Sequence, residues 1–203
     1  MKIAIIGHGN VGGALAKRWA AAGHEVLIGA RNPQDEKVQN FIAAYHIPVR
    51  DITSAVNQAE VILVATPAHI AVALAQQFGQ IPDKIIIDAT NAIRQKPEPY
   101  KTAFEAFQQI TGAQLAKCFN TTGYENIENP VYDAVGIDLF TAGSSAKAKA
   151  TAIRLAKDAG FGECYDFGGD ERVELLEQFA LAWINLAIFQ NHGRNIAFKL
   201  LKR

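Results

Sequence analysis

A chain of 203 residues has room for one large domain, or for one domain with a small appendage. About half of its residues are hydrophobic and a fifth are charged, the profile of an ordinary globular protein. Twenty basic residues balance twenty acidic ones, which excludes a nucleic-acid or anionic-membrane partner recruited by bulk charge, so an acidic ligand must be met by a local positive feature.

Lys2–Ile6 predicts a buried strand, and its apolar run is too short for a signal peptide. Asn10–Ala22 predicts a helix, with Val11, Leu15 and Trp19 at a spacing of four, and Gly23 stops it. Glu25–Gly29 is a second strand. Asn32-Pro33 opens another helix, with proline at the first helical position. Val49 marks a short strand, Val61–Val64 a fourth and Lys84–Asp88 a fifth, with a helix over Ala68–Phe78 between the last two. Strands separated by helices imply right-handed crossovers and a parallel sheet covered on both faces.

Beyond Asp88 the rhythm changes. Lys96–Pro99 is a loop, Tyr100–Ile110 a helix, Ala113–Phe119 and Ile137–Ala142 strands, Ser145–Ala159 a helix and Gly162–Phe167 a last strand. Glu171–Gln190 is the longest helical pattern, and Asn195–Leu201 adds a final turn or two. The chain therefore divides into an extended, mainly parallel sheet domain over residues 1–168 and a C-terminal helical segment over 169–203. The apolar stretch Phe179–Phe189 is broken by Asn185 and falls short of the roughly 20 residues a membrane span needs. Cys118 and Cys164 sit in apolar strand-like stretches, which predicts buried, inert thiols; their spacing fits neither a metal motif nor a redox pair, and a cytoplasmic address follows.

Gly7-His8-Gly9-Asn10-Val11-Gly12 follows the first strand directly and opens the first helix. In that context a GxGxxG sequence is a dinucleotide-binding loop of a Rossmann fold. Gly7 permits the tight turn, Gly9 lets the backbone approach a pyrophosphate, and Gly12 lets helix and strand pack closely. Free N–H groups and the helix dipole then face the diphosphate. At the end of the second strand, where an NAD site carries an acid, the chain reads Gly29-Ala30-Arg31-Asn32. A carboxylate would repel a 2′-phosphate. Arg31 can clamp it with forked hydrogen bonds, and Asn32 can add a donor, so the expected cofactor is NADP(H).

These stretches, with Ala65-Thr66-Pro67, Asp88-Ala89-Thr90-Asn91, Lys117-Cys118-Phe119-Asn120-Thr121-Thr122-Gly123, Ala142-Gly143 and Ala197-Phe198-Lys199-Leu200-Leu201, cover nearly the whole chain. Together they resemble the NADPH-dependent coenzyme F420 reductases (F420H2:NADP oxidoreductases). The cytosolic domains of the STEAP ferric reductases look similar. The resemblance implies an α/β NADP-binding Rossmann domain like the N-terminal domain of 6-phosphogluconate dehydrogenase, with a C-terminal helical appendage. It implies that Gly7, His8, Gly9, Asn10, Val11 and Gly12 hold the pyrophosphate and that Ala30, Arg31 and Asn32 hold the 2′-phosphate. Ala65, Thr66, Pro67 and Ile70 would pass beside the nicotinamide ribose, and Asn91, Asn120 and Thr121 would line the cleft where a second ring stacks. Two positions depart from the pattern: His8 replaces a small hydroxyl residue, and Ala92 stands where relatives often have proline.

Hydride transfer from a nicotinamide to F420 or to a flavin (FMN or FAD) needs placement and exclusion of water, with no obligatory protein acid or base. The residues agree with that. No Lys or His stands out beside Asn91 or Asn120, His46 and His69 fall on helix edges, His24 in a turn and His192 at a helix end, and no metal-ligand spacing occurs. Two other readings stay open: an NADPH-dependent reductase of a small carbonyl or imine, for which little chain remains to build a substrate domain, and a non-catalytic NADP(H) sensor. The final helix predicts a homodimer. Glu171, Glu174 and Glu177 mark a solvated start, whereas Phe179, Leu181, Trp183, Ile184, Leu186, Ile188 and Phe189 cannot share one helical face and need cover from a second copy.

Overall fold

The structure, a computed structural model, describes residues 1–93 and 95–203. Strand β1 (Lys2–Ile6) leads into helix α1 (Asn10–Ala21), then β2 (Glu25–Ala30), α2 (Glu36–Tyr45), β3 (Val49–Asp51), α3 (Ile52–Gln58), β4 (Val61–Val64), α4 (Ala71–Phe78) and β5 (Ile85–Asp88). There follow α5 (Ala103–Thr111), β6 (Gln114–Lys117), α6 (Tyr124–Glu128), a small hairpin of β7 (Val131–Tyr132) and β8 (Val135–Gly136), β9 (Leu139–Thr141), α7 (Ala146–Asp158), β10 (Cys164–Asp166) and α8 (Val173–Ile184). A π-helical turn, Asn185–Phe189, continues α8.

Six strands form a parallel sheet in the order β3-β2-β1-β4-β5-β6. Alternate strand residues enter two separate cores. Ile3, Ile5, Val26, Ile28, Leu63 and Ile87 pack with α1 and α7, while Ala4, Ile6, Leu27, Ile62, Val64 and Ile86 pack with α3, α4 and α5. Burial on both faces is why these strands read as unbroken apolar runs instead of alternating ones. The chain order reverses between β1 and β4, and this places a crevice beyond the carboxyl ends of those strands. Beyond β6 the sheet is extended by a looser attachment. Lys117 and Ala142 form an antiparallel bridge, and β9 pairs with β10 in parallel.

Several expectations are corrected. Asn32-Pro33 does not open a helix; α2 begins at Glu36, because the Asp35 carboxylate accepts from the Lys37 N–H and supplies the cap, while Asn32 Oδ1 accepts from the Gln34 N–H and orders the preceding turn. Helix α3 gave no readable periodicity in seven residues, yet Asp51 caps it by accepting from the Ser54 N–H at 2.9 Å. His24 is more than a turn residue: its Nε2 lies 2.9 Å from Asp158 Oδ2 and ties the β2 entry to α7. Residues 195–201 are not helical. Instead the C-terminal segment folds back over α8. Trp183 Nε1 donates to the Ile196 carbonyl at 2.7 Å, Phe198 stacks on Phe179 with ring centroids 4.3 Å apart, and Asp138 accepts from Lys199 Nζ and the Leu200 N–H. Among the described residues no helix is long and apolar enough to cross a membrane.

Candidate active site

The glycine loop turns where β1 ends. Gly7 has φ +102°, and a Cβ there would lie 2.5 Å from the Ala65 carbonyl oxygen at the end of β4. A Cβ on Gly12 would lie 1.9 Å from the Gly7 carbonyl, so only glycine lets α1 rest on the strand end. Gly9 differs, since a Cβ there would meet nothing within 4 Å. It is exposed, and the space above it opens onto the N-terminus of α1. The first turn of that helix carries no acid and no side-chain cap bond, which leaves its N–H groups for an anion.

Two cavities border this loop and the Thr66–Ile70 segment. One, of about 420 Å³, is lined by Gly7, His8, Ala30, Arg31, Thr66, Ile70 and Gln77 among others. Among the described residues that line it, Arg31, exposed at the end of β2, is the one fixed cation, and none is a carboxylate. The other, of about 630 Å³, is lined by Asn10, Val11, Pro67, His69, Asn91 and Asn120, and on its far wall by Tyr124, Trp183, Ile184, Ile188, Phe189 and Arg194. The Arg194 guanidinium pairs with Glu125 and lies over the rings of Tyr124 and Trp183, at 5.6 and 5.5 Å from their centroids. Gly123 makes room for that wall: a Cβ there would come within 2.6 Å of the Trp183 ring.

The floor of the larger cavity is an amide pair. Asn120 Nδ2 donates to Asn91 Oδ1, and Asn91 Nδ2 donates to the Asn120 carbonyl, both at 3.0 Å. Phe119 sets this up by adopting a left-handed backbone (φ +64°), costly for an aromatic residue and held by edge packing on Trp19 and Phe161. Below lies a charge cluster that contradicts the expectation of no lysine near these amides. Lys117, fully buried, donates to Asp88 Oδ2 at 2.9 Å and to Glu177 Oε1 at 2.7 Å. Burial works against the Lys117 ammonium, but the facing Asp88 and Glu177 carboxylates outweigh it and hold its pKa above the ordinary lysine value. Glu177 was expected in solvent with Glu171 and Glu174. It is buried because it faces Lys117, about one turn beyond the exposed Glu174 on α8.

A dinucleotide fits these residues. Thr66 Oγ1 and Asn120 Oδ1 are buried with no hydrogen-bond partner among the described residues, both at the cavities, and Gly9 leaves the approach to the α1 N-terminus open. An F420-dependent NADP reductase of Methanothermobacter thermautotrophicus is 30% identical over 221 aligned residues, spanning 98% of this chain and 94% of that protein. This chain belongs to the F420-dependent NADP reductase family. The family model described as "NADP oxidoreductase coenzyme F420-dependent" matches residues 2–92. A crystal structure described as that of an F420-dependent NADP reductase from Arthrobacter sp. FB24 superposes with a TM-score of 0.84 at 24% identity, covering all of both chains. An imine reductase of Streptomyces aurantiacus shares the fold more distantly, with a TM-score of 0.69 at 14% identity, over 94% of this chain and 64% of that one.

Within this F420-dependent NADP reductase family member, the structure brings most of the residues singled out by sequence to the two cavities. Gly7, His8, Ala30, Arg31, Thr66 and Ile70 line the smaller one; Asn10, Val11, Pro67, Asn91 and Asn120 line the larger. Gly9, Gly12, Asn32, Ala65 and Thr121 line neither. Gly12 and Ala65 act from behind the loop through the close approaches above, and Thr121 is buried next to Asn120. The resemblance implied that the Trp183–Phe189 region lies near the cleft, whereas Tyr124 and Arg194 escaped sequence reading, although a cation near Tyr124 and Trp183 needed only the return of the C-terminal segment to place it. The cysteines are corrected as well: Cys118 Sγ and Cys164 Sγ lie 3.8 Å apart, and Cys164 is only half-buried.

Proposed function

We propose that this protein is an NADP(H)-dependent oxidoreductase that passes a hydride directly between the nicotinamide and the ring of F420, stacked in the larger cavity. The observation that carries the reading is the pair of cavities on either side of the glycine loop and the Thr66–Ile70 segment. One offers a guanidinium and no acid where a 2′-phosphate belongs; the other offers an apolar, aromatic-walled slot over an amide floor. When bound, the dinucleotide supplies the hydride chemistry. The chain binds and orients. Gly7–Gly12 and the α1 N-terminus meet the pyrophosphate, Arg31 and Asn32 the 2′-phosphate, Thr66 and Ile70 the ribose side, and Asn91 and Asn120 present amide groups to the stacked rings. Trp183, Ile188 and Phe189 exclude water. No side chain is assigned as an essential acid or base.

Residues 1–168 act as the NADP-binding unit, and 169–203 close the cleft and meet a second copy. Leu175, Leu186, Ile188 and Phe189 remain exposed after the C-terminal segment has covered Phe179 and Trp183, and a homodimer would cover them. The same reading makes the enzyme cytoplasmic, since a reducing compartment keeps the facing thiols of Cys118 and Cys164 unlinked. NADPH oxidation measured separately against F420, FMN and FAD tests the proposal. Turnover is expected with F420. Turnover with FMN or FAD alone would change the acceptor, and none with any ring acceptor, despite tight NADPH binding, would favour a sensor.

A further inference from the structure

Lys117, Asp88 and Glu177 place one cation and two anions in a buried site, with side-chain exposures of 0%, 0% and 8%. Each carboxylate spends its other oxygen on the backbone of one loop: Asp88 Oδ1 accepts from the Thr90 N–H at 2.8 Å, and Glu177 Oε2 from the Ala92 N–H at 3.0 Å. That loop carries Asn91, half of the amide floor, and Asn120 also donates toward the Leu176 carbonyl beside Glu177. The cluster thus joins the ends of β5 and β6 to α8 directly under the larger cavity. A buried ion pair is poor value for stability, because apolar residues of similar volume hold a core as well or better. Even granting a pair, one carboxylate would have sufficed for one ammonium. The formal sum is minus one.

We propose that the formal negative charge of this three-residue cluster under the Asn91–Asn120 floor favours the oxidised, cationic nicotinamide over the neutral reduced one, so that the bound step runs preferentially toward NADPH consumption. The inference rests on the reading of the larger cavity as the place where nicotinamide and acceptor meet. In the transfer, a C–H bond of NADPH breaks, its two electrons leave with the hydrogen, and a C–H bond forms on the deazaflavin ring. The nicotinamide is left with a positive charge, and the acceptor, having gained a hydride, takes a proton from solvent. Asp88 and Glu177 touch neither ring; they act through the field of a site that salt screens weakly. A unit charge acting across about 10 Å of protein, at an effective dielectric near 20, changes a binding constant by roughly tenfold.

The test is the ratio of dissociation constants, Kd(NADP+)/Kd(NADPH), by calorimetry without acceptor, in the full-length protein and in Glu177→Gln and Asp88→Asn. Each substitution brings the formal charge of the cluster to zero from a different element, so one can fold where the other fails. Both are expected to raise the ratio by about five- to tenfold by weakening NADP+ selectively. The unsubstituted protein supplies a reading that needs no variant: it should bind NADP+ at least as tightly as NADPH. Equal weakening of both forms would mean that the cluster only supports the floor, and an unchanged ratio, or a preference for NADPH in the unsubstituted protein, would overturn the proposal. If that protein bound neither form, the reductase reading itself would fall, and this one with it.

Discussion

On the proposed reading, Arg31 concentrates the cofactor choice in one side chain. It stands at the end of β2 in a cavity with no carboxylate, so a 2′-phosphate gains a charged hydrogen-bond partner and a ribose hydroxyl gains little. Arg31→Ala should weaken NADPH binding by about 1.5–3 kcal/mol and leave NADH nearly untouched. Calorimetric titration checks this, and equal affinity for both dinucleotides in the unsubstituted protein would remove its basis. That Arg31 borders a cavity was legible because the signal is local: an arginine where the strand end normally carries an acid. Lys117 was not. It follows an apolar strand in the sequence, and its two partners lie 29 positions before it and 60 after it. No short-range pattern reports such a pair. Glu177 shows the same limit from the other side, since one turn of helix separates it from residues that are solvated.

At the level of elements, helices and strands with strong periodicity were legible, and those fixed by a cap or by a partner were not. α3 and the true start of α2 rest on Asp51 and Asp35, single side chains that end one conformation and begin another. The C-terminal segment is irregular because its groups are satisfied by other elements rather than by its own turns. Asp138 is its main anchor, holding Lys199 and the Leu200 N–H. Burial raises the Asp138 pKa, but the hydrogen bonds from Lys199, Glu163 and Leu200 outweigh it and leave the carboxyl below its ordinary value of 3.8. The anchor's contribution is therefore complete above that value and is lost as pH falls through the lower, folded-state one. Acid titration should release the segment before the sheet unfolds, seen as a red shift of Trp183 emission as its bond to Ile196 opens. Asp138→Asn should produce the same shift at neutral pH and cost about 1.5–3 kcal/mol. An unshifted spectrum in the variant would show that the Phe179–Phe198 stack holds the segment unaided.

At the scale of the whole molecule, the C-terminal segment changes what a dimer has to do. Sequence periodicity assigned one side of the last helix to the sheet and the other, beyond what Asn195–Leu201 could cover, to a second copy. The chain itself covers Trp183, which is 4% exposed, while Ile188 and Phe189 stay 48% and 62% exposed. The remaining apolar face lies on the π-helical turn that also walls the larger cavity. Ile188→Asp or Phe189→Asp should give a monomer by light scattering at micromolar concentration and weaken acceptor binding with NADPH affinity intact. Trp183→Asp should instead disturb the fold of the single chain. A monomer before any substitution would assign the exposed residues to the acceptor site alone.

The return of residues 191–203 across α8 also sets an order of events on the ribosome. Chains emerge N-terminus first. The strands β1 to β6, the glycine loop and Arg31 all leave the exit tunnel before α8, and α8 leaves before the residues that pin it. A nascent chain can therefore complete the half proposed to hold the phosphates while Glu177, Trp183 and Arg194 are still being made. During that interval Lys117 has one carboxylate instead of two, and the amide floor has no wall. On the proposed reading, competence to hold the dinucleotide precedes competence to use it, because the residues that wall the larger cavity are translated after those that meet the phosphates.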